Sequence, residues 1–286
     1  MLGLRTKLAS SIGSVFAFFG LRIEISKCGR TRSRLFQNRT LRYEKVGFWT
    51  VDPPVADSDL NEFYRADYWT FRSGKLHGTN IRDHLHFEFL SQHIGEFLAK
   101  PRTVLNFGAG HGGISHLMWL QGHNVINVEP SGLRNFYSER WKTFQYLNEV
   151  PDYSIELVYG SHSLEHVANI SDFLQLLKTK IKRDSYVFWE VPNADAAGNG
   201  PLEGKIVVPH TYYFQKSFFD NEFSKVIVND TFKSRAEVSD WEQSKRVDGN
   251  VIRVIGAYDI PVGESGRRAI SGGGLSVSAR GRGGFA

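Results

Sequence analysis

The sequence predicts an α/β protein built on a doubly wound, mostly parallel sheet with helices on both faces. Three observations carry this. Short apolar strands alternate with amphipathic helices from residue 80 onward, the pattern of repeated βαβ units. The stretch Thr103-Val-Leu-Asn-Phe-Gly-Ala-Gly-His-Gly-Gly-Ile-Ser115 joins a buried strand to a helix through a glycine cluster, which makes a nucleotide-binding corner. Glu129 closes the next strand 21 positions after Gly108, where a carboxylate can accept hydrogen bonds from both hydroxyls of a ribose.

The elements follow in order. Leu4, Leu8, Ile12, Val15, Phe16 and Phe19 fall on one helical face opposite Ser10, Ser11 and Ser14. This run is interrupted by glycines and serines, lacks a clear cleavage site, and is too short to span a bilayer. A helix packed on the chain's own body or on another subunit is the first reading. Peripheral attachment to an anionic membrane surface, helped by Arg22, Lys27, Arg30, Arg32 and Arg34, is the second. Asp52-Pro53-Pro54 breaks the chain. Asp57 or Ser58 is expected to cap a short helix through Leu60, Phe63, Tyr64 and Tyr68.

Asn80 to Leu98 has the apolar spacing of a longer helix, and its His84, His86 and His93 are expected at the surface or as caps, since no compact ligand set accompanies them. Val104–Phe107 is the first strand of the alternating region, and Ile114–Gly122 the helix after its turn. Asn124–Val128, Phe144–Leu147, Ile155–Gly160 and Tyr186–Val191 are the further strands, with a helix over Ile170–Ile181. Phe223–Val228 and Val251–Tyr258 lack an intervening helix and are expected to pair antiparallel. From Pro261 on, eight of 26 residues are glycine, which predicts a disordered tail. The organisation is therefore a basic N-terminal helical extension and lead-in over 1–79, a nucleotide-binding domain over 80–260, and a tail over 261–286.

Composition narrows the chemistry. The net charge of +5 divides into +8 over residues 1–50 and −3 over the remainder. The main body is therefore slightly acidic, and no nucleic-acid partner is expected. Cys28 is the only cysteine, so an intrachain disulfide and a cysteine metal cluster are both excluded, in keeping with a reducing cytoplasm. Oligomeric state is left open.

Gly108-Ala-Gly110-His-Gly112-Gly113 satisfies two patterns. Gly108, Gly110 and Gly113 match a dinucleotide fingerprint, whereas Gly108, Gly110 and Gly112 match G-x-G-x-G. Three later stretches arbitrate. Ile155-Glu-Leu-Val-Tyr-Gly-Ser-His-Ser-Leu-Glu-His-Val167, Phe188-Trp-Glu-Val-Pro-Asn193 and Pro209-His-Thr-Tyr-Tyr-Phe214 together resemble class I methyltransferases of the small-molecule type, which use S-adenosylmethionine (SAM) on a Rossmann-like fold. The resemblance spans residues 80–260.

The resemblance implies SAM as cofactor, with Gly108, Ala109, Gly110 and Gly112 on its methionine and ribose portion. Glu129 would take the ribose hydroxyls, Pro130 and Ser131 would lie by the adenine, and Gly160 and Ser161 near the reactive methyl. Asn106 stands where the family usually carries an acid, and so brings no charge to the cofactor's amino group. Gln145 or Asn148 is the expected adenine partner. For proton removal from an acceptor, His210 is the first candidate, His162 the second, and Glu190 is also considered. Glu165 and His166 read first as groups that hold the loop. No resident metal is expected.

The implied activity is methyl transfer to an O or N atom of a small molecule or a sugar, such as a surface glycan or secondary metabolite. The expected location is cytoplasmic, extending to the inner membrane face through the N-terminal helix. A SAM-binding protein without catalysis, and a protein or RNA methyltransferase, are the alternatives. An NAD-dependent dehydrogenase, and a zinc protease built on His162-Ser-Leu-Glu-His166, are remote ones.

Overall fold

The computed structural model describes residues 34–67, 79–131, 140–233 and 249–260. The N-terminal amphipathic run, Arg22, Lys27, Arg30 and Arg32 of its basic cluster, Tyr68, most of the polar stretch after Lys233, and the glycine-rich tail lie outside the described residues.

A seven-stranded sheet organises the molecule. Its strands are β3 (Thr103–Phe107), β4 (Asn124–Val128), β5 (Lys142–Phe144), β6 (Ile155–Ser161), β7 (Ile181–Pro192), β9 (Lys225–Phe232) and β10 (Val251–Ala257), in the order β5-β4-β3-β6-β7-β10-β9. The five from β5 to β7 run parallel, and β10 is antiparallel to both β7 and β9. The expected mostly parallel sheet with a reversed C-terminal pair is therefore observed. The strand order reverses direction at β3, whose neighbours are β4 and β6. At such a switch point the loops leave the strands' C-terminal ends toward opposite faces, which opens a crevice for a ligand.

Alternation of side chains along the strands produces two cores. Leu105, Ile126, Val158, Val187, Trp189 and Val254 face one side, packing with Leu174 and Leu177 of α4 (Ile170–Lys180) and Phe218 and Phe219 of α5 (Lys216–Glu222). Val104, Val125, Leu157, Phe188 and Ile255 face the other, beneath Phe89, Leu90 and Ile94 of α2 (Ile81–Leu98) and Ile114 and Met118 of α3 (Gly113–Leu120). A strand buried on both faces reads as the continuous apolar run seen in the sequence.

The lead-in contains more than the expected helix. β1 (Thr40–Glu44) and β2 (Phe48–Asp52) form an antiparallel hairpin, and β8 (Tyr212–Phe214) extends it into a three-stranded sheet. Its apolar side, with Val51, Val55, Leu60 and Tyr213, forms a third cluster. α1 (Asp57–Glu62) starts one residue earlier than expected: Ala56 is the N-cap, and Asp57 and Asp59 lie inside the first turn, where carboxylates favour the helix dipole. A π-helical turn, Phe63–Asp67, follows.

Two further expectations change. The strand placed over Phe144–Leu147 is instead β5, ending at Phe144. The Glu149 carboxylate accepts from the N–H groups of Gln145 (2.8 Å) and Tyr146 (3.2 Å), turning the chain into a 3-10 helix over Leu147–Glu149. His86 is fully buried, against the surface position expected for it. Its ring bonds Tyr159 Oη (2.6 Å) through Nδ1 and Glu190 (2.7 Å) through Nε2. His84 is exposed, and His93 contacts the Phe89 carbonyl at 2.8 Å.

Candidate active site

The glycine turn between β3 and α3 is held from behind. Gly108, Gly110 and Gly112 have φ of 68, 52 and 71°, the left-handed region that glycine enters without a Cβ penalty. Gly112 is the N-cap of α3. Gly113 is constrained differently, because a Cβ there would collide with the Asp83 carboxylate, which caps α2 together with Asn80. The two competing glycine patterns thus reflect two requirements, backbone conformation at Gly112 and close packing at Gly113.

Glu129, only 3% exposed, braces the turn. Its Oε2 accepts from Gly110 N–H (2.8 Å) and its Oε1 from Ser131 N–H (3.0 Å). Carboxylate acceptors of this kind are charge-assisted and hold the backbone firmly. Asn106 sits lower, 3% exposed, and donates from Nδ2 to Ser115 Oγ (2.8 Å), which donates onward to Asn127 Oδ1 (2.7 Å). This chain ties β3, α3 and β4 together beneath the turn.

A cavity of about 840 Å³ opens there, within the size range of small-molecule and cofactor sites. Asn106, Gly108, Ala109, Gly110, Gly112, Glu129, Pro130, Ser161, His162 and His210 all line it. Gln145 does too, together with Tyr146 and Leu147. Ser131, Gly160, Glu190 and Asn148 are not among its lining residues. Ser131 is buried at 1% exposure, its N–H held by Glu129. Gly160 is occupied with packing, since a Cβ on it would meet the Trp189 ring.

Glu190 is fully buried beneath the cavity. It pairs with Arg253 Nε (2.8 Å) and His86 Nε2 (2.7 Å), and accepts from Ser161 Oγ (3.1 Å). A carboxylate so engaged positions its neighbours and does not reach an acceptor. His162 stands between two such carboxylates, 3.2 Å from Glu165 Oε1 and 3.4 Å from Glu190 Oε1. Burial alone would lower its pKa, but the carboxylates of Glu165 and Glu190 outweigh burial and raise it to about 9. At neutral pH His162 is therefore an imidazolium without a lone pair to receive a proton, which removes it as a general base. The converse holds for Glu165: burial would raise its carboxyl, but His162, His166 and His210 together bring it to about 2.

His162-Ser-Leu-Glu-His166 does not form a zinc-protease helix. β6 ends at Ser161, and only Leu164–His166 is helical, as a single 3-10 turn. Residues i and i+4 therefore do not share one α-helical face.

The lead-in supplies side chains that the sequence patterns do not assign to the site. Asp57, Leu60, Asn61 and Tyr64 line the cavity, as do Arg82 and Asp83 of α2. Tyr64 Oη lies 2.8 Å from His166 Nδ1. The Asn80-x-x-Asp83 capping box was a readable signal for the α2 end of the site. Nothing in the spacing of Tyr64 pointed to a histidine far along the chain.

The cradle fits the cofactor that the resemblance implies. The glycine turn leaves backbone room at the switch point, and Glu129 presents a buried anion beside it. Residues 79–243 match a family model described as a methyltransferase domain. No curated protein sequence matches the chain. Among solved structures, a SAM-dependent methyltransferase from Archaeoglobus fulgidus aligns at 20% identity, over 66% of this chain and 96% of that one, with a TM-score of 0.45. The 1,6-didemethyltoxoflavin-N1-methyltransferase of Burkholderia thailandensis, solved with S-adenosylhomocysteine, aligns at 15% identity over 77% of this chain and 100% of that one, with a TM-score of 0.46. A protein from Anabaena variabilis, named for a methyltransferase of antibiotic biosynthesis, aligns at 25% identity and a TM-score of 0.30. That alignment covers 33% of this chain and spans 40% of that one. The family model takes in more than half of the 286 residues, and the chain belongs to the class I SAM-dependent methyltransferases.

Proposed function

We propose that the chain moves the methyl group of SAM to an O or N atom of a small molecule or a sugar. The observation that carries this reading is that the glycine turn and two remote segments share one cavity. The lead-in residues Leu60 and Tyr64 and the segment Val207–His210 line the same cavity as the glycine turn. That arrangement suits a compact acceptor better than a polymer surface. The described body also carries no basic excess that would favour RNA.

SAM supplies a sulfonium methyl, so transfer forms a C–O or C–N bond, breaks the S–C bond and returns the electron pair to sulfur. The chain's own part is placement. Glu129 and the turn from Gly108 to Gly112 seat the adenosine and methionine portions, with Pro130 and Gln145 at the adenine edge. Ser161 and the His162 imidazolium border the reacting end. His210 receives the proton of a hydroxyl or amine acceptor, because His162 is already protonated and Glu190 is out of reach.

An acceptor screen with methyl-labelled SAM tests the reading. It expects label in a small hydroxylated or amine compound and retained SAM binding but at least about tenfold lower turnover in His210→Ala. Label appearing only in protein or RNA would overturn it.

A further inference from the structure

The acceptor end of the cavity holds a cluster whose chemistry methyl transfer does not by itself explain. Glu165, His166 and His210 each present one donor atom, and these atoms lie within 4.8 Å of one another. The backbone fixes their relation. Glu165 and His166 sit on the 3-10 turn after β6, and His210 directly precedes Thr211, which donates its N–H to the Glu165 carbonyl (2.9 Å) and its Oγ–H to the Val167 carbonyl (2.6 Å). Two segments distant in sequence are thus stapled at the point where the three side chains converge.

A second observation comes from Glu165 itself. Its side chain is 1% exposed, borders the cavity, and meets His162 as an ion partner at 3.2 Å through Oε1. Neither carboxylate oxygen accepts a hydrogen bond of good geometry among the described residues. Buried carboxylates are ordinarily paired and hydrogen-bonded, or coordinate a metal. A third lies behind His166: Nδ1 is 2.8 Å from Tyr64 Oη and 3.5 Å from the Pro209 carbonyl, while Nε2 turns toward Glu165 Oε1 at 3.8 Å. Metal-bound histidines are oriented in this way, one ring nitrogen held by an oxygen and the other turned to the ion.

We propose that Glu165, His166 and His210 bind a divalent transition-metal cation of the zinc class. Two imidazoles and one carboxylate suit such an ion, whereas magnesium and calcium take oxygen ligands. Three protein ligands leave a fourth position open. Tetrahedral ligands at about 2.0–2.1 Å from zinc are roughly 3.4 Å apart, so the rings close by about 1 Å on binding. His162 is not a ligand, because both its nitrogens face carboxylates. The identity of the open position's occupant rests on the methyltransferase reading: an acceptor hydroxyl bound there would release its proton to solvent near neutral pH, and the alkoxide left behind would take the methyl group. His210 would then act as ligand in the metal-loaded protein and as base in the metal-free one.

The test is calorimetric titration of zinc chloride into the metal-stripped full chain, without SAM or acceptor. The expected result is one zinc per chain in wild type and in His84→Ala, an exposed histidine outside the cluster, with at least tenfold weaker binding in Glu165→Gln and His210→Ala. SAM titration of the same samples reports whether each variant is folded. No zinc uptake by wild type, or wild-type uptake by both cluster variants (an adventitious ion only), would overturn the proposal. Zinc binding without SAM binding would instead remove the methyltransferase reading and leave the metal site standing.

Discussion

Glu129 and Asn106 each hold the fold together at the cavity wall. Both oxygens of Glu129 already hold backbone amides of the turn, so its loss loosens the cradle as well as removing the ribose acceptor we propose. Asn106 is the residue whose sequence meaning changed most. Read alone, it is a missing charge; in the fold, its amide is the donor in a chain ending on Asn127. Asn127 Nδ2 has no hydrogen-bond partner among the described residues. An aspartate at 106 can therefore be accommodated by turning the Asn127 amide to donate to Ser115, which then donates to the carboxylate. Asn106→Asp is expected to fold with a melting temperature close to wild type and to bind SAM at least as tightly. Melting and calorimetry check this, and a large loss of stability would show that the amide donor itself is required. The placement of Glu129 and the glycines around one turn was legible because it depends on spacing. The state of His162 was not, because one of its two carboxylates, Glu190, comes from the neighbouring strand β7.

At the scale of elements, the site depends on close approach between secondary structures. Gly113 admits the Asp83 carboxylate at the start of α2, and Gly160 admits the Trp189 ring between β6 and β7. Neither glycine has a positive φ, so alanine is excluded by packing and not by backbone strain. Gly113→Ala and Gly160→Ala are each expected to cost about 1–3 kcal/mol by overpacking, read from denaturant midpoints. Gly113→Ala should also weaken SAM, since it displaces the helix that borders the turn. Unchanged midpoints would mean that Asp83 and Trp189 move aside freely. The parallel strands other than β5, and α2 to α4, were legible from period and length. The hairpin of β1 and β2 was not, because its third strand, β8, arrives only after residue 211, and a pairing that remote leaves no local pattern.

Across the whole molecule, the sheet is pinned by a buried charge system. Arg253 of β10 and Glu190 of β7 are both fully buried and paired at 2.8 Å, with His86 of α2 on the same carboxylate. Arg253→Met removes the fully buried cation from Glu190 Oε2 and is expected to cost about 3–5 kcal/mol. Burial holds the His86 pKa below its ordinary value of 6.5, against the pull of Glu190. Below pH 6.5 the unfolded chain therefore takes up a proton that the folded chain refuses, so stability falls on acidification. Glu190, whose carboxyl the hydrogen bonds from His162 and His86 and the charge of Arg253 hold well below 4.5 despite burial, adds a further loss below that value. Denaturant titrations from pH 8 to 4 should show a decline beginning near 6.5, and His86→Phe should flatten its upper part. No helix among the described residues is long and apolar enough to cross a membrane. The expected membrane contact rests, apart from Arg34, on residues outside them. Comparing liposome sedimentation of the full chain with a form lacking residues 1–34 tests it, and equal pelleting would remove it.

We place the seat of SAM at the glycine turn and Glu129. Calorimetric titration of SAM into the full chain and into Glu129→Ala tests this most directly. One SAM per chain is predicted for the wild type, with affinity falling at least about tenfold in the variant, the 1.4 kcal/mol expected for a lost charge-assisted acceptor. Absence of SAM binding by the wild type, or equal affinity in both proteins, would contradict it.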